Sequence, residues 1–311
     1  MTTDRFKNTG SVILPVMLLA GASFWLLQSL TAPQQAAGPA LSAATYDATI
    51  EAPELITIPP RTFEYRDPAR YIENELPQIS PLVHAKVQTP LNVAKNLVTN
   101  AQYRQCVLDA YCPPAITIKT PIDDHPVVGI NYEMAEKYAA WLSAKTGENW
   151  RLPTALEWAQ FAGEKYDDPE KDIQSDPTNP AVAWLSEYRA KSKSKSTTPS
   201  QSLRPAGLFG ANSLGINDVA ENVWVWTSTC YERINVDATN SQSKAISCGA
   251  RVVEGAHRTY LSVFISNPQG GGCTVGDPPD HLGIRLVKGG DKPDFFSFLR
   301  RLWPFGSSIK A

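Results

Sequence analysis

The sequence has little charge and no surplus of either sign. Of its 311 residues 19% are charged, below the roughly one quarter usual for soluble domains, and 29 basic against 31 acidic side chains leave a net charge of −2. Nucleic-acid binders concentrate positive charge on one face, so this balance argues against a nucleic-acid partner. Cysteine is scarce as well. Five are too few for a scaffold held together by disulfides, yet enough for one or two bridges in an oxidising compartment. No repeat recurs at a fixed period. What is present is 42% hydrophobic residue, which excludes a wholly disordered chain. The 25 Pro and 19 Gly point to a loop-rich fold rather than a helical bundle.

Residues 11–30 (SVILPVMLLAGASFWLLQSL) contain no charge. As a helix rising about 1.5 Å per residue, such a segment covers the roughly 30 Å hydrocarbon core of a bilayer. Arg5 and Lys7 precede it. The positive-inside rule therefore predicts residues 1–10 in the cytoplasm, a single-pass anchor in the inner (cytoplasmic) membrane, and the rest on the periplasmic side. The competing reading is a cleaved signal peptide, with a small-residue site at Ala32, followed unfavourably by Pro33, or at Ala43. Both readings put the folded part outside the cytoplasm. Residues 31–54, rich in Ala, Pro, Gln and Thr without periodicity, read as an extended tether.

Beyond the tether the pattern is mixed. Leu55-Ile56-Thr57-Ile58, stopped by Pro59-Pro60, predicts a strand, and Phe63 and Tyr65 continue an alternation. Residues 87–98 predict a second strand-like region. Thr99-Asn100-Ala101-Gln102 is a capping box opening a helix with Tyr103, Cys106, Val107 and Ala110 on one face. Cys112 lies just past its end, so Cys106 and Cys112 are either disulfide partners across the turn or buried free thiols. A second helix is expected with Asn131 as cap, Ala135, Tyr138, Ala139 and Leu142 as apolar stripe, Trp141 at the stripe's edge and Gly147 as left-handed stop. Thr154-Ala155-Leu156-Glu157 is a second capping box, with Trp158, Phe161 and Ala162 inward and Glu157 placed to pair structurally with Arg151. The acidic stretch 164–180 and the run KSKSKSTTPSQS at 191–202 read as solvated surface loops. Thereafter aromatics, glycines and polar residues alternate in short bursts, up to Val223-Trp224-Val225-Trp226-Thr227, predicting short strands and tight turns. The fold class is α+β, two or three helices around an irregular sheet.

Four ordered blocks resemble one family. Val98-Thr99-Asn100-Ala101-Gln102-Tyr103 is similar to its VTNxxY opening. His125-Pro126-Val127-Val128-Gly129-Ile130, then Arg151-Leu152-Pro153-Thr154-Ala155-Leu156-Glu157-Trp158, resembles its HPV…RLPTEAEWE core. Asn212-Ser213-Leu214-Gly215-Ile216-Asn217-Asp218 through Asn222-Val223-Trp224-Val225-Trp226 resembles its NxxGLxDxxGNVWEW block, and His281-Leu282-Gly283-Ile284-Arg285-Leu286 its NLGFRL end. This is the formylglycine-generating enzyme (sulfatase-modifying factor) family. The resemblance implies its variant of the C-type-lectin-like fold over residues 55–288, one domain behind the N-terminal transmembrane helix, followed by an amphipathic tail at 289–311.

The family's enzymes oxidise a cysteine in a Cys-x-Pro-x-Arg motif to formylglycine with O₂ and copper(I), held by two thiolates spaced Cys-x₄-Cys shortly after an RGGS motif. Aligned here, that motif becomes Glu254-Gly255-Ala256-His257, and the thiolate positions fall on Tyr260 and Ile265. Neither offers the soft ligand copper(I) prefers, so the bis-thiolate site is expected to be absent. The resemblance also implies a calcium site, for which Asp218, Glu221 and Val223 are the candidates, weakened because Val225 stands where the family has Glu. The histidine-held iron of the sulfoxide synthases in this family finds no HxxxHxE pattern among His84, His125, His257 and His281. His125, before Pro126, is expected to serve packing or a turn. His257, Tyr260 and Cys273 either line a remodelled acid–base or metal pocket or simply fill the old cavity. Two of Cys230, Cys248 and Cys273 are expected to bridge, with three pairings open.

Residues 294–303, with Asp294 as cap and Arg300 and Arg301 beside an aromatic face, form an amphipathic helix candidate for a membrane surface, a partner groove or the domain itself. The leading expectation is a membrane-anchored periplasmic accessory or binding protein with an exported protein partner. Its GGC-x₂-GxPPD stretch at 271–280 resembles members linked to copper nitrite reductase and denitrification. The alternative is an oxidoreductase of the same family, with a different metal site, acting on a protein or small-molecule thiol.

Overall fold

The computed structural model describes residues 50–116, 120–168, 170–171, 182, 203–236, 242–256, 258–265 and 282–290. The proposed anchor and most of its tether, the lysine-serine run, His257, Cys273 and the tail from residue 291 lie outside the described residues. Among the described residues no helix is long and apolar enough to cross a membrane.

The chain opens with six strands: β1 (Leu55–Ile58), β2 (Arg61–Arg66), β3 (Arg70–Glu73), β4 (Leu76–Gln78), β5 (Leu82–Val87) and β6 (Leu91–Ala94). The single strand-like region anticipated at 87–98 is thus the end of β5 and the whole of β6, parted at Pro90, which has no N–H for a ladder. Helix α1 (Asn100–Leu108) carries the anticipated box: the Thr99 hydroxyl accepts from the Gln102 amide, and the Gln102 side chain accepts from the Thr99 amide. It stops sooner than its periodicity suggests. Ala110 has φ of 55° and is exposed, so it does not extend the buried face. Helix α2 (Tyr132–Thr146) begins at Asn131 and ends at Gly147, φ 72°, as expected. Trp141 is fully in its buried face, its indole N–H donating 2.8 Å to Asp109.

Strand β7 (Trp150–Arg151) leads into α3 (Ala155–Ala162), whose Thr154–Glu157 box also forms. Arg151 donates to both oxygens of Glu157 at 2.7 and 2.5 Å, and this partly buried pair ties strand to helix. The largest departure from expectation follows. In place of short strands stand β8 (Trp224–Val236) and β9 (Gln242–Glu254), 13 residues each. The sequence shows bursts because this ladder is interrupted: the register passes from Trp226↔Val253 to Cys230↔Arg251 to Tyr231↔Ser247. Each shift inserts unpaired residues, which breaks the alternation by which strands are read. The short strands β10 (Thr259–Ser262), β11 (Leu282–Gly283) and β12 (Val287–Lys288) complete the chain.

Three sheets result. One has the order β1-β6-β12-β7, a second β10-β9-β8-β3-β4 with β11 parallel to β8, and the third pairs β2 with β5. The fold is mixed α+β, mostly sheet. One apolar core lies around α1 and α2 with Trp226 and Leu282; a second joins α3 to β1, β6 and the stretch Ile216–Val225. Burying side chains such as Phe161 and Leu142 contributes roughly 1.5–3 kcal/mol each. Two disulfides are formed. Cys106–Cys112 closes the end of α1 within the first core, and Cys230–Cys248 spans the interrupted part of the β8–β9 ladder.

Candidate functional site

The turn from β9 to β10 is where the resemblance places the family's chemistry. It is tight because Gly255 packs on Trp224: a Cβ there would stand 2.6 Å from the indole ring. At its ends Glu254 and Arg258 face each other, Arg258 Nε donating 2.7 Å to Glu254, each side chain only 4% exposed. Arg258 Nη1 also donates to the carbonyls of Arg66 and Asp67 at 2.8 and 3.2 Å. Tyr260 donates its hydroxyl to the Pro68 carbonyl at 2.9 Å, and its ring meets Tyr231 edge-on. The hairpin therefore grips the corner between β2 and β3.

The same corner is held from the other side. Arg66 forms a two-point pair with Asp168, its backbone amide donates to the Tyr166 hydroxyl, and its Nη1 donates to the Ser80 carbonyl. Glu170 accepts from the Ser80 amide at 2.6 Å. The start of the acidic stretch read as a solvated loop is instead docked: Tyr166, Asp168 and Glu170 are all partly buried. Nothing in the local pattern marks this, because the partners lie about a hundred positions away, and charge-rich stretches ordinarily stay in water.

Electrostatics matches the geometry. Burial disfavours the Arg258 cation, but Glu254, Tyr166 and Tyr260 outweigh it and raise its pKa, so the guanidinium stays charged. Burial pushes the Tyr260 phenol up to about 12. It also raises the Glu170 carboxyl against the opposing Ser80 hydrogen bonds. A fixed cation, a phenol bound to a carbonyl and paired carboxylates join three chain segments. None of them is a free nucleophile.

Of the candidates from the sequence, His257 and Cys273 lie outside the described residues. Tyr260 is in the cluster just described, and Ile265 closes a turn through its amide to the Ser262 carbonyl. Tyr260 and Ile265 are the positions to which the resemblance assigns the thiolates; the four described cysteines are joined in pairs. His125 lies at a turn, its Nδ1 2.7 Å from Asp124.

The calcium candidates point elsewhere. Asp218, buried, accepts from the Gly207 and Phe209 amides at 2.6 and 3.0 Å. Its charge faces Arg285, whose guanidinium is fully buried, donates to the carbonyls of Ala94, Lys95 and Asn217, and is lowered by burial to about 10. Glu221 takes Lys165 at 3.2 Å, and Val223 turns its amide to the Glu221 carbonyl. The Arg285 cation thus already acts on Asp218, the buried carboxylate of the two among these candidates. This donor set does not fit calcium, which wants several converging oxygens. Among the described residues no group of three or more His, Cys, Asp or Glu is placed to hold a metal ion. Arg285 was legible only as the last charge in a motif, with no pattern to say what it reaches.

Comparison with known proteins places the molecule. A 182-residue stretch is 26% identical to inactive C-alpha-formylglycine-generating enzyme 2 of Bos taurus, covering 55% of this chain and 52% of that protein. A 111-residue stretch is 32% identical to the formylglycine-generating enzyme of Mycobacterium tuberculosis, covering 34% and 33%. The chain thus spans about half the length, or less, of these curated relatives. Among solved structures it is similar to PvdO from Pseudomonas aeruginosa, with 18% identity, a TM-score of 0.47 and coverage of 76% of this chain and 94% of that one. CarF is similar at 14% identity and a TM-score of 0.44, covering 77% and 99%. A family model for the sulfatase-modifying factor enzyme 1-like domain matches residues 42–289, and the chain belongs to that family.

Proposed function

We propose that this protein is a membrane-anchored, extracytoplasmic accessory or binding member of the family and not a copper oxidase. The carrying observation is Tyr260. At a position where the resemblance expects a copper thiolate, a phenol is fixed between the Pro68 carbonyl and the Tyr231 ring. Beside it the buried Glu254–Arg258 pair sets a carboxylate against a guanidinium within the same hairpin. Two disulfides support an oxidising compartment, and the charge-free segment 11–30 supports the anchor. The bovine relative, whose name calls it inactive, supports a family role without oxidation. The narrower reading is service to a respiratory or denitrification metalloenzyme, supported by the GGC-x₂-GxPPD stretch.

The test uses the full chain in detergent. It is loaded anaerobically with copper(I) and given O₂ and a peptide carrying Cys-x-Pro-x-Arg. We expect no aldehyde product by mass spectrometry and no O₂ uptake above that of the peptide alone. Aldehyde formation, or stoichiometric copper lost on His257→Ala or Cys273→Ser, overturns the reading in favour of an oxidoreductase with a different metal site. For the narrower reading, the copper content of nitrite reductase is measured in cells lacking this chain. A fall restored by the full chain supports it; unchanged copper removes it.

A further inference from the structure

The disulfide Cys230–Cys248 is built unlike its counterpart. Cys106 and Cys112 are 0% and 5% exposed, inside the core at the end of α1. Cys248, by contrast, is exposed on β9, while Cys230 is partly buried on β8. The ladder explains the asymmetry. Arg251 is the residue opposite Cys230, Ser247 is opposite Tyr231, and residues 248–250 have no partner on β8. Cys248 therefore stands in a bulge, pushed out from the strand, and its sulfur bonds a residue that is not its neighbour in the ladder.

A cation is fixed against the inner sulfur. Arg251 Nη1 lies 3.1 Å from Cys230 Sγ and donates 2.6 Å to the Ser228 carbonyl. The guanidinium is carried on the face of Tyr132, 4.3 Å from the ring centroid. That ring is itself held, its hydroxyl donating 2.5 Å to Glu136. An exposed sulfur is open to attack, and a sulfur beside a fixed positive charge leaves readily as thiolate.

We propose that Cys230–Cys248 is a thiol–disulfide exchange site for the dithiol of an exported protein, with Cys248 the sulfur attacked and Cys230 the sulfur released to Arg251. A partner thiolate attacks Cys248 Sγ. A bond forms there as the Cys248–Cys230 bond breaks, and the electron pair leaves on Cys230. The partner's second thiol, deprotonated, then attacks the partner sulfur of the mixed disulfide and expels Cys248 as thiolate. Two protons and two electrons pass from the partner to Cys230 and Cys248, leaving the partner with a disulfide and this chain with two thiols. The choice of an exported partner rests on the extracytoplasmic placement proposed above; the chemistry of the bridge itself depends on neither an anchor nor a copper site.

The experiment uses the full chain carrying Cys273→Ser, so that every thiol detected comes from a bridge. The protein is equilibrated in graded mixtures of reduced and oxidised dithiothreitol, and new thiols are assigned by differential alkylation and mass spectrometry. Cys230–Cys248 is expected to open at a ratio at least about tenfold less reducing than Cys106–Cys112 requires. After opening, Cys230 alkylates with a pH midpoint below that of Cys248 and of an ordinary thiol. Arg251→Met raises that midpoint and slows opening, by about threefold for each pK unit lost, and Arg251→Lys restores both in part. The proposal is overturned if the two bridges open together, if Cys230 alkylates like an ordinary thiol, or if folded Arg251→Met opens at the unaltered rate. Should Arg251→Met not fold, the order of opening and the Cys230 midpoint in the parent protein decide alone.

Discussion

Arg258 donates in two directions, to a buried carboxylate within its own hairpin and to two carbonyls of a distant corner. Removing it strands Glu254 without a counter-charge, which costs far more than the net worth of the pair. Arg258→Met should lower unfolding free energy by about 3–5 kcal/mol, and adding Glu254→Gln should recover a substantial part. Urea denaturation of the single and double variants measures both. A second residue, Glu157, contributes to the acid sensitivity of the fold. Burial pushes the Glu157 carboxyl up, but Arg151 and the Thr154 hydrogen bonds outweigh it and hold it below the usual range. A depressed carboxylate contributes stability above its unfolded pKa, about 4.3, that is lost as pH falls through the folded value. Glu157→Gln should therefore lower Tm at pH 7, with the gap to the parent protein narrowing toward pH 3. Glu170, raised by burial, has the opposite sign, and its protonation relieves the fold rather than weakening it.

At the level of elements, local chemistry was legible where it is completed within a few residues. Both capping boxes, the Asn131 cap, the α2 stripe and the Gly147 stop form as their patterns require. Legibility failed where partners are remote. Thirteen-residue strands looked like bursts because bulges reset the two-residue period, and a docked acidic segment looked like a loop. Two glycines separate the local demand from the remote one. Gly147 and Gly129 have nearly the same φ, 72° and 75°. A Cβ on Gly147 meets nothing within 4 Å, whereas one on Gly129 would lie 2.1 Å from the Ile116 carbonyl oxygen. Gly147→Ala should cost about 1 kcal/mol, the left-handed penalty alone. Gly129→Ala adds a backbone clash and should cost at least about 2 kcal/mol more by the same denaturation assay.

The folded domain is joined by a late strand. The short strand β12 sits inside the first sheet, between β6 and β7, and Arg285 just before it reaches carbonyls at the end of β6 and at Asn217. A chain ending at residue 281 should lose cooperative unfolding altogether, seen as a broad, featureless thermal transition by circular dichroism. The candidate site has the same character. Its family position was legible from four motifs, but what fills it depends on Arg66, Asp168 and Glu170, residues no motif contains. The place of β12 has a further consequence in time. A polypeptide delivered N-terminus first, from a ribosome or through a translocation pore, presents β6 and β7 long before the strand that joins them. Until its last stretch emerges, the first sheet stays in two halves with open edges, so completion of the fold reports that the whole domain has arrived.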